Sequence, residues 1–304
     1  MKIYLNIDAF AKDLVANIQQ KGYENAEVQN VKKNNNTVLT AITIKPENCS
    51  VSPVIYLEDI YKDYVEGART MEQAAEYVIH VAMNTNKPEY ESAVTDTLGT
   101  FESAKPRIVA RLVNEERNRE MLKEVPHKKV MNLAVIYYVQ IDDNASTKIT
   151  NQLLNHWGVT VDDIHDWATK NTKNVGGLKV VGLQQCLGEM AGLDVGLDCG
   201  DPVTIMTNET MTNGAIYMLD TEILSEICES KGVQSLGIIP CSVHETLLLT
   251  NVDDSSVRIL VDMIKTVNET EVSEQDYLSD DLYIFDYKTK TIDIAEDNEL
   301  ACAV

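Results

Sequence analysis

Val130-Met-Asn-Leu-Ala-Val-Ile-Tyr-Tyr-Val-Gln-Ile141 carries the strongest strand signal in the chain. It is close to continuously apolar rather than alternating, and rich in β-branched and aromatic residues. That composition predicts a strand in a sheet covered on at least one face. The flanking segments decide the class. Arg107-Ile-Val-Ala-Arg-Leu-Val113 reads as a strand before it, and Asn114-Glu-Glu-Arg-Asn118 then supplies an N-cap and first-turn acids for a short helix. Downstream, Thr147-Lys-Ile-Thr150 reads as a weak strand running into a helix with Leu153, Leu154 and Trp157. Thr160-Val-Asp-Asp163 is a capping-box pattern with Asp in place of Glu or Gln, opening a helix through Ile164, Trp167 and Ala168.

The glycine-rich residues 172–201 give no assignment. Val203–Thr207 and Ala215–Met218 flank Asn213-Gly214 in the pattern of a hairpin. Glu222–Ser230 predicts a helix stopped by Gly232, then come strands at Leu236–Pro240 and Val243–Thr250 and a helix at Val257–Val267. Leu282–Tyr287 and Thr291–Ile294 predict a closing hairpin around Lys288-Thr-Lys290. Towards the N-terminus, Ile7, Phe10, Leu14, Val15 and Ile18 fall at helical spacing, with Gly22 as the stop. Ala26–Val31 and Thr37–Ile44 bracket an Asn cluster as a hairpin. Ile55 to Val81 predicts a long helix broken near Gly67, and Met83 to Lys105 a connection or a short helix.

These readings divide the chain into an N-terminal helix, hairpin and long helix over 1–105, a main unit over 106–294 and an acidic tail over 295–304. Helices follow pairs of antiparallel-looking strands, so the expected class is α+β, with mixed or antiparallel sheets packed with helices. At 304 residues and 44% hydrophobic, the chain can bury a substantial core.

Charge narrows the function classes. The 48 acids outnumber 26 bases, for a formal net charge of -22. A field of that sign disfavours direct binding to nucleic acid and docking on anionic lipid. The sharper alternative is an acidic inhibitor that mimics nucleic acid in a partner's groove. The first residues lack an apolar run of signal-peptide length, and no segment approaches the roughly 18 uncharged apolar residues of a membrane span. A cytoplasmic location with reduced thiols is therefore expected, and the six cysteines contain no Cys-x-x-Cys pair.

Ile238-Ile-Pro-Cys-Ser-Val-His-Glu245 is the most reactive-looking stretch, placing Cys241, His244 and Glu245 within five residues. On a strand, Cys241 and His244 would face opposite ways, which denies a thiol the base it needs. The stretch therefore reads as the polar end of a strand, with a hydrolase built on His244 and Glu245 as the alternative. His244-Glu245 also begins a zinc-protease pattern, but Leu248 stands where the second His is required. Among His80, His127, His156, His165 and His244 no pair shows a dependable ligand spacing. A metal shared by His156 and His165 stands against two surface histidines, and no metal or cofactor is expected.

Gly176-Gly177 and Gly182 have no Lys-Ser/Thr continuation, and Gly188, Gly192, Gly196 and Gly200 are not a dinucleotide fingerprint. Asp142-Asp143, Asp162-Asp163 and Asp280-Asp281 are adjacent acids that do not face each other on any regular element. Asn114, Asn118 and His127 surround the short helix before the central strand; they are binding candidates beside their plainer reading as caps and turns.

Three segments together resemble a bacterial family catalogued as domain of unknown function number fifty-six eighty-eight, met on chromosomes rich in mobile elements. They are Arg111-Leu-Val-Asn-Glu-Glu-Arg-Asn118 with Met121 to His127 and Asn132-Leu-Ala-Val135; Ile238 to Glu245; and Val267-Asn-Glu-Thr-Glu-Val272 with Tyr277-Leu-Ser-Asp-Asp-Leu-Tyr283. The likeness runs from about Ile55 to Ile294. In that family the proline is typically followed by Ser-Ser-x-His-Glu; here Cys241 replaces the first Ser, which weighs against a serine hydrolase. The resemblance implies no reaction. The expectation is a non-enzymatic binding or regulatory factor whose partner is another protein.

Overall fold

The computed structural model describes residues 4, 6–45, 52–85, 88–142, 145–191 and 201–296. Cys49, Asp143, Gly192, Gly196, Cys199, Gly200, Cys302 and nearly all of the acidic tail lie outside them. The chain divides into two compact units, Met1–Ser103 and Ala104–Val304.

The first unit opens with α1 (Ile7–Gln20), where the Asn6 side chain accepts from the Ala9 backbone N–H as the N-cap. β1 (Ala26–Lys32) and β2 (Val38–Ile44) pair antiparallel around the Asn34–Asn36 turn, as expected. The helix expected from Ile55 starts later and breaks near Gly67 as its pattern suggested. Ile55–Tyr56 forms β3, a third strand beside β2, and α2 (Glu58–Val65) and α3 (Met71–Thr85) are separated at Gly67, whose φ is +77. Met83–Lys105 is more helical than its weak periodicity implied, with α4 (Pro88–Leu98) and α5 (Phe101–Ala104). The face of α1 carrying Phe10, Leu14 and Ile18 packs with Ile42, Leu57 and Val78 into one apolar core.

The second unit begins with β4 (Ile108–Asn114), α6 (Arg119–Leu122), β5 (His127–Val130), β6 (Leu133–Gln140) and β7 (Ser146–Lys148). The sequence's strongest strand is thus two strands. Met131 takes a φ of +55, so Val130 ends β5 and Leu133 starts β6, with the two paired antiparallel. β6 is central, with β4 on one side and β5 and β7 on the other, and Leu133 to Tyr137 are all buried. Its continuous apolar run reflects this cover on both faces.

α7 (Asn151–Trp157) and α8 (Val161–Val175) come next, capped by Thr150 and by the Thr160–Asp163 capping box. After them are β8 (Leu178–Gly182), α9 (Leu183–Met190), β9 (Val203–Asn208), α10 (Thr221–Lys231), β10 (Ser235–Ile239), β11 (Thr246–Leu249), α11 (Asp254–Glu271), β12 (Tyr283–Asp286) and β13 (Thr291–Ile294). The strands form a six-stranded sheet in the order β13-β12-β10-β11-β9-β8, antiparallel throughout. The class is α+β.

One sequence expectation changes here. Ala215–Met218 is not a strand returning against β9: Gly214–Leu219 is a 3-10 helix whose first N–H groups, on Gly214 and Ala215, donate to the carbonyls of His244 and Val243. β9 pairs instead with β8 and β11. Among the described residues no helix is long and apolar enough to cross a membrane.

Candidate functional site

Pro240 ends β10, and the Cys241–Glu245 stretch is the loop of the β10–β11 hairpin rather than the start of a strand. Its side chains point where the loop bonds put them, so strand alternation does not apply. The Ser242 side chain accepts from the His244 N–H at 3.0 Å, and the Val243 N–H donates to the Asp276 carbonyl at 2.8 Å. The His244 ring is used on both sides. The Asn213 N–H donates to Nδ1 at 3.1 Å, which leaves the ring proton on Nε2, facing Asp276 Oδ1 at 3.1 Å. The His244 carbonyl accepts from the Thr207 hydroxyl at 2.8 Å and from the Gly214 N–H at 2.9 Å. The imidazole therefore has no lone pair left for a substrate proton or a metal.

Cys241 packs beside the apolar cluster of Ile239, Val257 and Leu282. Burial, with Glu245 nearby, pushes its thiol up to about 12, so near neutral pH it is a thiol and not a nucleophile. Glu245 sits at the foot of β11, its carbonyl taking the Ser242 N–H at 3.4 Å. The three residues share a loop but do not assemble into a relay.

The other candidates separate in the same way. Asn114 is buried at the end of β4; its amide donates to the Leu278 carbonyl at 2.9 Å and its Oδ1 accepts from the Arg117 N–H at 2.9 Å. It closes a turn rather than capping the helix, and Asn118 occupies the N-cap of α6. Asn118, fully buried, donates to the Asn114 carbonyl at 2.8 Å. His127 is exposed on β5, with Nδ1 3.0 Å from the Val125 carbonyl. The bonds described for Asn114 and His127 do not reach His244.

The first and third of the segments that carry the family resemblance do meet at the Tyr277–Tyr283 strip. Asn114 holds Leu278, Asn132 donates to Ser279 Oγ at 3.1 Å and Asp281 Oδ2 at 2.6 Å, and Asn268 donates to the Ser279 carbonyl at 3.0 Å and Asp280 Oδ1 at 2.8 Å. The Tyr283 hydroxyl donates to Asn132 Oδ1 at 2.5 Å. The Arg117 guanidinium lies over the Tyr277 ring at 3.5 Å, and burial beside Asp280 pushes the Tyr277 hydroxyl up to about 12. Such a fully bonded polar set rigidifies a strip of chain; it does not present reactive groups.

Open space lies elsewhere. A cavity of about 440 Å³ is bounded by β4, the end of α8 and the loop from Asn208 to Asn213. Arg111 on β4 lines it, partly buried, with its guanidinium 3.8 Å from the Tyr138 ring centre and Nη2 donating to Ser146 Oγ at 2.8 Å. A second cavity of about 430 Å³ is lined by Lys128, Lys129, Lys173 and His165, but its lysines are already paired with Asp162, Glu115 and Asp220. His165 Nδ1 lies 2.9 Å from the Tyr137 hydroxyl. Among the described residues no three His, Cys, Asp or Glu side chains gather as a metal site. Sequence reasoning passed over Arg111 because it sits inside an apolar strand; a lone charge in that setting was the available signal.

From residue 7 to residue 287 the chain is matched by the model of a family described only as a family of unknown function (DUF5688). No curated protein and no solved structure matches it.

Proposed function

The chain belongs to that family of unknown function, and from this premise we propose that it is a non-enzymatic binding or regulatory factor whose partner is another protein. One observation carries the reading: α11 leaves an apolar stripe uncovered. Ile259, Met263 and Val267 succeed one another at four-residue spacing and are 69%, 50% and 44% exposed, while Val257 and Ile264 on the inner side are buried. Single exposed apolar residues need no explanation, but a stripe aligned on one helix face is the form in which helices present anchors to partners. The burial of the Cys241 thiol and the engagement of both His244 ring nitrogens support a binder over a hydrolase. The excess of acids over bases supports a protein partner over nucleic acid. On this reading the chain is a cytoplasmic bacterial factor, associated with mobile elements, that acts on host or element proteins.

The test is affinity capture from a bacterial lysate, with the wild type and with a variant carrying both Ile259→Asp and Met263→Asp. A few anchors dominate most interfaces, so the expected result is a protein retained by the wild type and lost from the variant, with circular dichroism unchanged. Equal capture by both would remove α11 as the surface. Turnover of ester or peptide substrates that is abolished by His244→Ala would overturn the non-enzymatic reading.

A further inference from the structure

We propose that the cavity beside β4 is a binding site for a small organic carboxylate, with Arg111 as its charge anchor. This site is independent of the α11 surface.

Among the described residues Arg111 has no carboxylate partner. It meets the Ser146 hydroxyl and the face of the Tyr138 ring, both neutral. By contrast, Arg69, Arg117 and Arg119 each pair with an acid. Among the described residues Arg107 and Arg258 also lack an ion pair, but both are exposed, whereas Arg111 is partly buried against the cavity. Burial works against its charge, lowering its pKa, yet a guanidinium stays protonated in proteins. A partly desolvated cation without a counter-charge is disfavoured, and an anion entering the cavity would supply one.

The remaining lining fits the body and second end of such a ligand. Gln140 and Asn213 also line the space, and no side-chain hydrogen bond of either is described. Ile216 and the Tyr217 ring provide an apolar wall. The Tyr217 hydroxyl is taken up by the Thr172 carbonyl, 2.9 Å away, which leaves its ring as the contact surface. At about 440 Å³ the space falls in the range of small-molecule pockets.

Two arguments favour a carboxylate over a phosphate. One guanidinium can fork onto one carboxylate through two parallel N–H bonds, matching a single negative charge. A phosphate dianion would need further cations, and Arg111 is the only basic residue among those that line the cavity.

The loop that walls the cavity is held in place from behind. Asn208 Oδ1 accepts from the Thr212 N–H at 2.9 Å, and the Asn213 N–H is fixed on His244 at 3.1 Å. His244 thus acts as a positioning residue for the wall, which gives the bonded imidazole of the hairpin loop a reason to be there.

The experiment is calorimetric titration of the full chain with benzoate and butyrate, each against its neutral amide and against inorganic phosphate. The acids are expected to bind in the millimolar range or tighter, with the amides weaker by about tenfold or more, the worth of a charge-assisted pair. Arg111→Met should abolish that preference, and Arg111→Lys should weaken it by removing the fork. Gln140→Ala leaves the charge in place and serves as the second variant; it should weaken both acid and amide while its melting temperature stays at the wild-type value. No binding of either acid, equal binding of acid and amide, or a preference for phosphate overturns the assignment. None of these outcomes bears on capture through α11, so the two readings fail separately.

Discussion

A methyl group added to Gly214 would lie 2.6 Å from Thr207 Oγ1 and 2.7 Å from both the Asn208 nitrogen and the Thr207 Cα. Backbone atoms cannot step aside as a flexible side chain can, so Gly214→Ala should lose about 1–3 kcal/mol, as overpacking does. The measurement is the urea midpoint, and an unchanged midpoint would mean that the Asn208–Gly214 loop gives way freely. Burial of the neighbouring hairpin loop predicts thiol behaviour: Cys241, pushed up to about 12, should resist alkylation near neutral pH in the folded chain and react once urea exposes it. Rapid alkylation of Cys241 in the native protein would contradict its burial. At this scale the sequence displayed the Cys241–His244–Glu245 cluster but not its meaning. The partners that fix the His244 ring lie 31 positions before it, at Asn213, and 32 after it, at Asp276.

Among the elements, the Tyr277–Tyr283 strip is held less by its own secondary structure than by asparagines from β4, from the β5–β6 turn and from α11. Removing the Asn268 amide leaves a buried Ser279 carbonyl without that donor, so Asn268→Ala should cost about 1–3 kcal/mol. Hydrogen exchange should speed up between Tyr277 and Tyr283 while α8 keeps its protection; uniform acceleration would instead point to global destabilisation. Elements whose signal is local were legible: α1 with its Asn6 cap, the β1–β2 hairpin, the Thr160 capping box and the β12–β13 hairpin all stand where patterning puts them. Elements settled by distant contacts were not. Met131 takes a left-handed φ without being Gly or Asn, so the β5–β6 turn left no mark within the apolar run. Ile55 and Tyr56 share helical spacing with the residues of α2, yet β2 claims them as an edge strand.

For the whole molecule, a net charge of -22 means that acidification has two opposing effects. Protonating carboxylates relieves self-repulsion, while groups whose pKa is held low in the fold lose their contribution. In roughly 1 M salt the screening length is about 3 Å, which suppresses the first effect and leaves the second. His165 dominates the upper window. Burial and then Lys128 hold it below 6.5, outweighing Asp166 and Asp162, and the Tyr137 hydroxyl at Nδ1 suits the neutral ring. A depressed value means that the unfolded chain takes up the proton first. Its contribution is therefore complete above 6.5 and drains away as pH falls through the lowered folded value. A second loss begins below 3.8, where Asp163, Asp253 and Asp286 are held low by Thr160, by Ser255 and Ser256, and by Thr289. Urea unfolding of the wild type and of His165→Gln in high salt should show the wild type losing stability relative to the variant as pH drops below 6.5, with parallel curves above it. Curves parallel throughout that range would mean that His165 takes up its proton in the folded chain as readily as in the unfolded one.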